Sequence, residues 1–197
     1  MDYDRRKQEV IDTCLDTFVE NGLQETSVRD LGAALHLQSG GIYYYFPDKD
    51  AAVIACAEQA ALRLEQAFIP MALANLETPR ALVEALRKKA KQMSPTMRFF
   101  TSVCALSRYA PRMQAALDRL ADRYEEYAGK FARVLQRPKE QVEPYVYFAI
   151  MTVTNYMIFG EAKYIEPQLE TLEFILSAFL TKRPDGDKGI DNYLPMC

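Results

Sequence analysis

The chain has 197 residues, 49% of them hydrophobic, and a formal net charge of −3. That length suits one large or two small domains with a sizeable core, and no uncharged apolar run is long enough to suggest a membrane span. The start, MDYDRRKQEV, lacks the apolar stretch of a secretory signal. Cys14, Cys56, Cys104 and Cys197 lie far apart, with no C-x-x-C and a single histidine. This excludes a plausible zinc framework and predicts reduced thiols in a cytoplasmic protein.

The first predicted helix covers residues 5–21, with Val10, Leu15, Phe18 and Val19 on its apolar face and Asn21-Gly22 as its stop. The next stretch, TSVRDLGAALHLQSGGIYYYFPDK over residues 26–49, organises the rest. Ser27 is a good N-cap and Asp30 an imperfect capping-box partner. Val28, Leu31, Ala34 and Leu35 recur at three and four, as one face of a helix does. His36 and Leu37 form a turn, and Ser39 can cap a second helix through Gly40, Gly41, Ile42 and the tyrosines. Phe46-Pro47-Asp48 ends it, because the residue before proline is driven out of the α region. This is the outline of a helix-turn-helix, whose second helix enters the DNA major groove.

The residues Thr26-Ser27-Val28-Arg29-Asp30-Leu31, then Leu37, then Gly40-x-Ile42-Tyr43-x-Tyr45-Phe46 followed by Lys49, resemble the DNA-binding signature of the tetracycline-repressor (TetR) family. The motif lies within residues 1–50; beyond it the resemblance is one of length and helical layout. It implies an all-α fold: a three-helix DNA-binding domain (1–47), then a long helix leading into a helical effector-binding and dimerisation domain (48–183). It further implies a homodimeric, ligand-responsive transcriptional regulator, a repressor released from a pseudo-palindromic DNA operator by a small, largely apolar or aromatic effector. No cofactor, metal or catalytic residue is expected. His36 departs from the family, which usually has glycine in this turn. Gly41 stands where the family carries a small side chain, and Tyr45 where histidine is common.

Residues 1–50 carry more acids than bases, unlike a typical DNA-binding domain. The acids concentrate in the first helix (Glu9, Asp12, Asp16, Glu20), which can face away from DNA, while no formal charge falls between Leu31 and Pro47. So few cations imply few neutralised phosphates and a modest affinity per domain, so that dimerisation is needed. The candidate DNA contacts are Ser27, Arg29, Gln38, Ser39, Gly40, Gly41, Tyr43, Tyr44, Tyr45 and Lys49. Ser27 is a cap that could also meet phosphate, and Gln38 can pair with adenine. The two glycines would let backbone approach the duplex at a cost in helix propensity on the order of 2 kcal/mol. Ile42 and Phe46 should face the core, leaving Tyr43 and Tyr44 outward. Lys49 resembles the family's phosphate-contacting lysine.

A long helix capped by Asp48 is expected to run to Ala74, broken or kinked at Pro70. Thr78-Pro79, Ser94-Pro95, Ala110-Pro111, Arg137-Pro138 and Glu166-Pro167 then each read as a helix start or the lead into one. They predict helices to about Met93, Tyr109, Leu135, Tyr164 and Thr181. Residues 184–197 read as a flexible tail.

In the penultimate helix Val146, Ile150, Val153, Met157 and Gly160 form one stripe, and Tyr145, Phe148, Thr152, Asn155 and Phe159 another. A helix apolar on two faces is buried on two sides. The first stripe, with Leu172, Leu176 and Phe179 of the last helix, is assigned to the dimer interface. Pairing across a two-fold axis would set recognition helices about 34 Å apart. The second stripe faces an interior ligand site, for which the candidate lining is Met97, Phe100, Cys104, Tyr109, Met113, Tyr127, Phe148, Thr152, Asn155 and Phe159. An alternative is a DNA-anchored factor of the same fold that binds another protein instead of a metabolite. An enzyme is disfavoured: there is no nucleophile elbow, metal spacing or glycine-rich nucleotide loop.

Overall fold

The computed structural model describes residues 3–38, 40–75, 78–160, 163 and 165–181, with residues 179–181 described by their backbone alone. Among them are seven α-helices and no strand: α1 (Tyr3–Asn21), α2 (Val28–Ala34), α3 (Lys49–Ala74), α4 (Pro79–Ala105), α5 (Ala110–Leu135), α6 (Lys139–Phe159) and α7 (Glu166–Thr181), with a 3₁₀ turn at Gly41–Tyr44 before α3. The tail expected at 184–197 lies outside the described residues. No described helix is long and apolar enough to cross a membrane, and the described residues include no group of side chains that could hold a metal.

The N-terminal helices close around Val10, Cys14, Leu15 and Phe18 of α1, Leu31 of α2, and Ile42 and Phe46, all nearly or fully buried. This core continues without a break through α3 into the rest of the chain, and Phe18 stacks on Phe99 of α4 with ring centroids 5.6 Å apart. Cys14 and Cys56 are wholly buried where α1 meets α3. A hydrogen bond with Cys14, then burial, pushes the Cys56 thiol well above its ordinary value, so it stays a protonated core group.

Several predicted boundaries hold. Asp48 caps α3 by accepting from Ala51 N–H at 2.7 Å, and Thr78 caps α4 by accepting from Ala81 N–H at 3.1 Å. Two proline signals do not end a helix. Pro70 lies inside α3, and Ser94-Pro95 lies inside a single α4 instead of starting a new helix. An interior proline costs about 3 kcal/mol, but Met97, Phe99, Phe100 and Val103 follow in the same helix and are buried. Each such side chain contributes about 1.5–3 kcal/mol, so packing outweighs the break. Ser94 Oγ also donates to the Met157 carbonyl, fixing the proline turn against α6. That helix stops at Phe159, short of the expected Tyr164, because Gly160 turns at φ +75°.

Candidate nucleic-acid interface and cavity

The helix-turn-helix is set by its caps and by two left-handed residues. Ser27 Oγ accepts from Asp30 N–H at 3.2 Å, while the Asp30 carboxylate accepts from Ser27 N–H at 2.8 Å and from Ser27 Oγ at 2.7 Å. The capping box is therefore complete, despite aspartate's shorter side chain. The hydrogen bonds from Ser27 hold the Asp30 carboxyl below its ordinary range. The Ser27 hydroxyl is thus already engaged beside a negative charge, and a phosphate would have to displace Asp30 to use it. His36 occupies the turn at φ +54°, the left-handed conformation expected where the family has glycine.

The second helix differs from expectation. Gly40 sits at φ +88°, outside any helix, and only one 3₁₀ turn follows before Pro47. Gly40 is needed for its conformation, and so does not carry the helix cost predicted for it. At Gly41 the constraint is space, since a Cβ there would come within 3.1 Å of Leu37 Cβ. Ile42 and Phe46 are 4% exposed and anchor the turn inward, leaving Tyr43 56% and Tyr44 70% exposed.

Arg29 and Gln38 are exposed beside this turn, and Tyr45 is half-buried. Ser39 lies outside the described residues. Lys49 Nζ donates to the Leu23 carbonyl at 3.1 Å, which ties the start of α3 to the loop before α2. An ammonium has three donors, so this bond leaves capacity for a phosphate. Tyr3 was not singled out from sequence. Its ring lies 5.8 Å from Tyr44 and 6.3 Å from Tyr45, stacked on the latter, so α1 buttresses the recognition turn. Its position in the first turn of α1 was the only available signal. Asp12 and Asp16 of α1 pair with Arg63 of α3 at 2.7 and 2.5 Å, which draws that negative charge toward α3.

Between α3, α4, α5 and α6 lies a cavity of about 390 Å³, with a wall that is almost wholly hydrocarbon. Of the expected ligand residues, Met97, Phe100 and Tyr127 line it. The others are elsewhere. Met113 and Thr152 are buried in the core, Cys104 and Phe148 pack against that core, Asn155 is half-buried off the cavity wall, and Phe159 is 57% exposed. Tyr109 is 1% exposed, and its hydroxyl donates to Asp50 Oδ1 at 2.6 Å, joining the start of α5 to the first turn of α3. Burial, then this bond, pushes its phenol up to about 12. The Arg108 guanidinium lies 4.5 Å from the ring centroid.

The first stripe of α6 faces inward, opposite to the assignment made from sequence, while the second is split: Tyr145 lines the cavity, Phe148 and Thr152 pack into the core, and Phe159 is exposed. Val146, Ile150, Val153 and Met157, with Leu176 of α7, line the cavity. Leu172 is fully buried, Gly160 is the half-buried helix terminator beside Arg98, and the Phe179 side chain lies outside the described residues. The outward apolar residues are instead Tyr147, Met151 and Phe159 on α6 and Phe174 on α7, between 38% and 69% exposed. Periodicity related these residues to one another but carried no information about the helix's rotation. That rotation follows from the docking of its end, where Ser94 and Arg98 of α4 donate to the carbonyls of Met157 and Ile158.

Residues 10–56 match the family model for bacterial regulatory proteins of the tetR family. The whole fold resembles solved transcriptional regulators of that family. One from Cytophaga hutchinsonii is 19% identical, with 91% of this chain and 97% of that chain covered and a TM-score of 0.67. Another from Streptomyces coelicolor is 18% identical, covering 91% and 82% of the two chains at a TM-score of 0.59. A third, from Pectobacterium atrosepticum, is 16% identical over 91% and 96% at 0.57. No curated protein sequence matches the chain. Residues 10–56 thus carry the DNA-binding domain of a bacterial regulatory protein, joined to an all-helical body. The tetR-family match is confined to residues 10–56, and the helical body beyond it shares the fold of solved regulators of that family.

Proposed function

We propose that this regulator is a homodimeric repressor that a small, largely apolar or aromatic effector releases from a pseudo-palindromic operator. The observation that carries this reading is the cavity, because Leu64, Phe68 and Ala72 of its wall belong to α3. The same helix begins at Lys49, against the DNA-binding motif. A ligand that fits the cavity better in one arrangement of α3 than another shifts the population of DNA-competent molecules by that difference in affinity. Arg29, Gln38, Ser39, Tyr43, Tyr44 and Lys49 supply DNA contacts, with the backbone at Gly40 and Gly41 close to the duplex. Dimerisation uses Tyr147, Met151 and Phe159 of α6 with Phe174 of α7, an apolar face of the kind that marks an interface. Residues 1–47 read DNA, and residues 48–183 bind the effector and the second subunit.

The test is selection of duplexes from a random library, followed by titration of the selected complex with apolar compounds. Recovery of an inverted repeat and its release by a compound that binds the cavity are the expected results. Binding indifferent to sequence at physiological salt overturns the proposal.

A further inference from the structure

We infer that the cavity selects an uncharged, hydrocarbon-rich ligand, and that Glu65 is the residue that turns carboxylates away. This rests on the reading of the cavity as an effector site and specifies its ligand class. Among the described residues, the wall offers one carboxylate, Glu65 of α3, and no cationic side chain. Glu65 is already satisfied: Arg123 Nε of α5 lies 3.1 Å from its Oε1, and burial, then the negative charge of Glu65 beside it, raises the phenol of Tyr127 and holds it protonated.

Three ligand classes follow different physics here. An alkyl carboxylate would bring a second negative charge into an apolar space without a cation to receive it, and a buried unpaired charge is strongly disfavoured. An alkyl ammonium would have to compete with Arg123 for a carboxylate already paired. An uncharged chain leaves the Glu65–Arg123–Tyr127 cluster intact and gains from burial along α4 and α6. The wall also offers such a ligand a partner for one polar group. Tyr124 is half-buried on it, with no hydrogen bond found among the described residues and a phenol raised by burial. Thr101 is less available, since its hydroxyl donates back to the carbonyls of Met97 and Arg98.

The experiment uses the full chain without DNA and three probes that differ only in the headgroup: dodecanol, dodecanoate and dodecyltrimethylammonium, titrated calorimetrically below their micellar range. Wild type is expected to bind dodecanol most tightly, with dodecanoate weaker by about tenfold or more. Glu65→Gln is expected to narrow the alcohol-to-carboxylate ratio, and Arg123→Ala to strengthen dodecyltrimethylammonium binding by leaving Glu65 without its counter-charge. Dodecanoate or the ammonium binding wild type as tightly as the alcohol overturns the inference, and so does a ratio unchanged in Glu65→Gln. The wild-type ranking alone decides the matter if a variant fails to fold. Selective alcohol binding that leaves an operator complex intact would remove the release mechanism while leaving this ligand selectivity standing.

Discussion

Replacing Tyr109 with phenylalanine tests the link between the effector body and the DNA-binding motif. The phenol is 1% exposed and donates to Asp50 Oδ1 at 2.6 Å, in the first turn of the helix that begins with Lys49. A hydrogen bond to a charged group contributes about 1.5–3 kcal/mol. The ring stays buried in the variant and only this bond is lost, so the expected cost of Tyr109→Phe is about 1.5–2 kcal/mol. For a chain of this size, that lowers the melting temperature by about 3–8 °C, measured at fixed protein concentration because dimerisation couples to stability. The pH sign follows from the raised folded value. The contribution is fully present below pH 10 and lost as pH rises through about 12, so wild type should lose more stability than the variant over that interval. Asp50→Asn should weaken the same contact, and the double variant should cost less than the sum of the singles. A melting change under about 1 °C, or additivity within about 0.3 kcal/mol, refutes the coupling.

Gly40→Ala should destabilise by about 1–2 kcal/mol through its left-handed backbone alone, since nothing stands within 4 Å of the added methyl group. Gly41→Ala should cost less if Leu37 can yield, and urea melts separate the two. Ser27→Ala should cost about 1 kcal/mol as a lost cap. It should also flatten the acid limb of the stability profile: the depressed Asp30 carboxyl contributes stability above its unfolded value and loses it as pH falls through the folded one. Met151→Asp combined with Phe174→Asp should produce monomers by sedimentation and weaken operator binding, while Val146→Asp, directed into the cavity wall, should instead lower the melting temperature. Ala149→Trp should fill the cavity, abolishing probe binding while leaving operator binding intact.

Much of this architecture was legible because it rests on local chemistry. The Ser27, Asp48 and Thr78 caps, the left-handed turn at His36 and the stop at Pro47 each depend on a few neighbouring residues. So do the inward Ile42 and Phe46, four residues apart. What escaped was set by partners distant in sequence. Pro95 carries the same start signal as Pro79, yet one begins a helix and the other sits inside it, because the side chains after Pro95 find a core and Ser94 finds the Met157 carbonyl. Tyr109 looked like a ligand-facing aromatic until its hydroxyl met Asp50, 59 residues away.

The reversal of α6 has a consequence for how signal and assembly are arranged. With Val146, Ile150, Val153 and Met157 turned inward, the residues first assigned to the partner subunit become the wall that a ligand would press. Tyr147, Met151 and Phe159 then lie on the opposite side of the same helix. A single helix thus separates the cavity from the proposed partner, and its rotation is held by the Ser94 and Arg98 bonds to its last turn. A ligand that pushes on the inner stripe can move the outer one only by straining those bonds or by displacing α3 across the cavity. The α3 route ends at Asp50 and Lys49, where Tyr109 and the Leu23 carbonyl hold the helix to the rest of the protein. If α3 yields first, weakening the Tyr109–Asp50 bond should change operator release at fixed cavity affinity. If α6 yields first, the same variant should change stability alone, and Ser94→Ala should be the substitution that alters release.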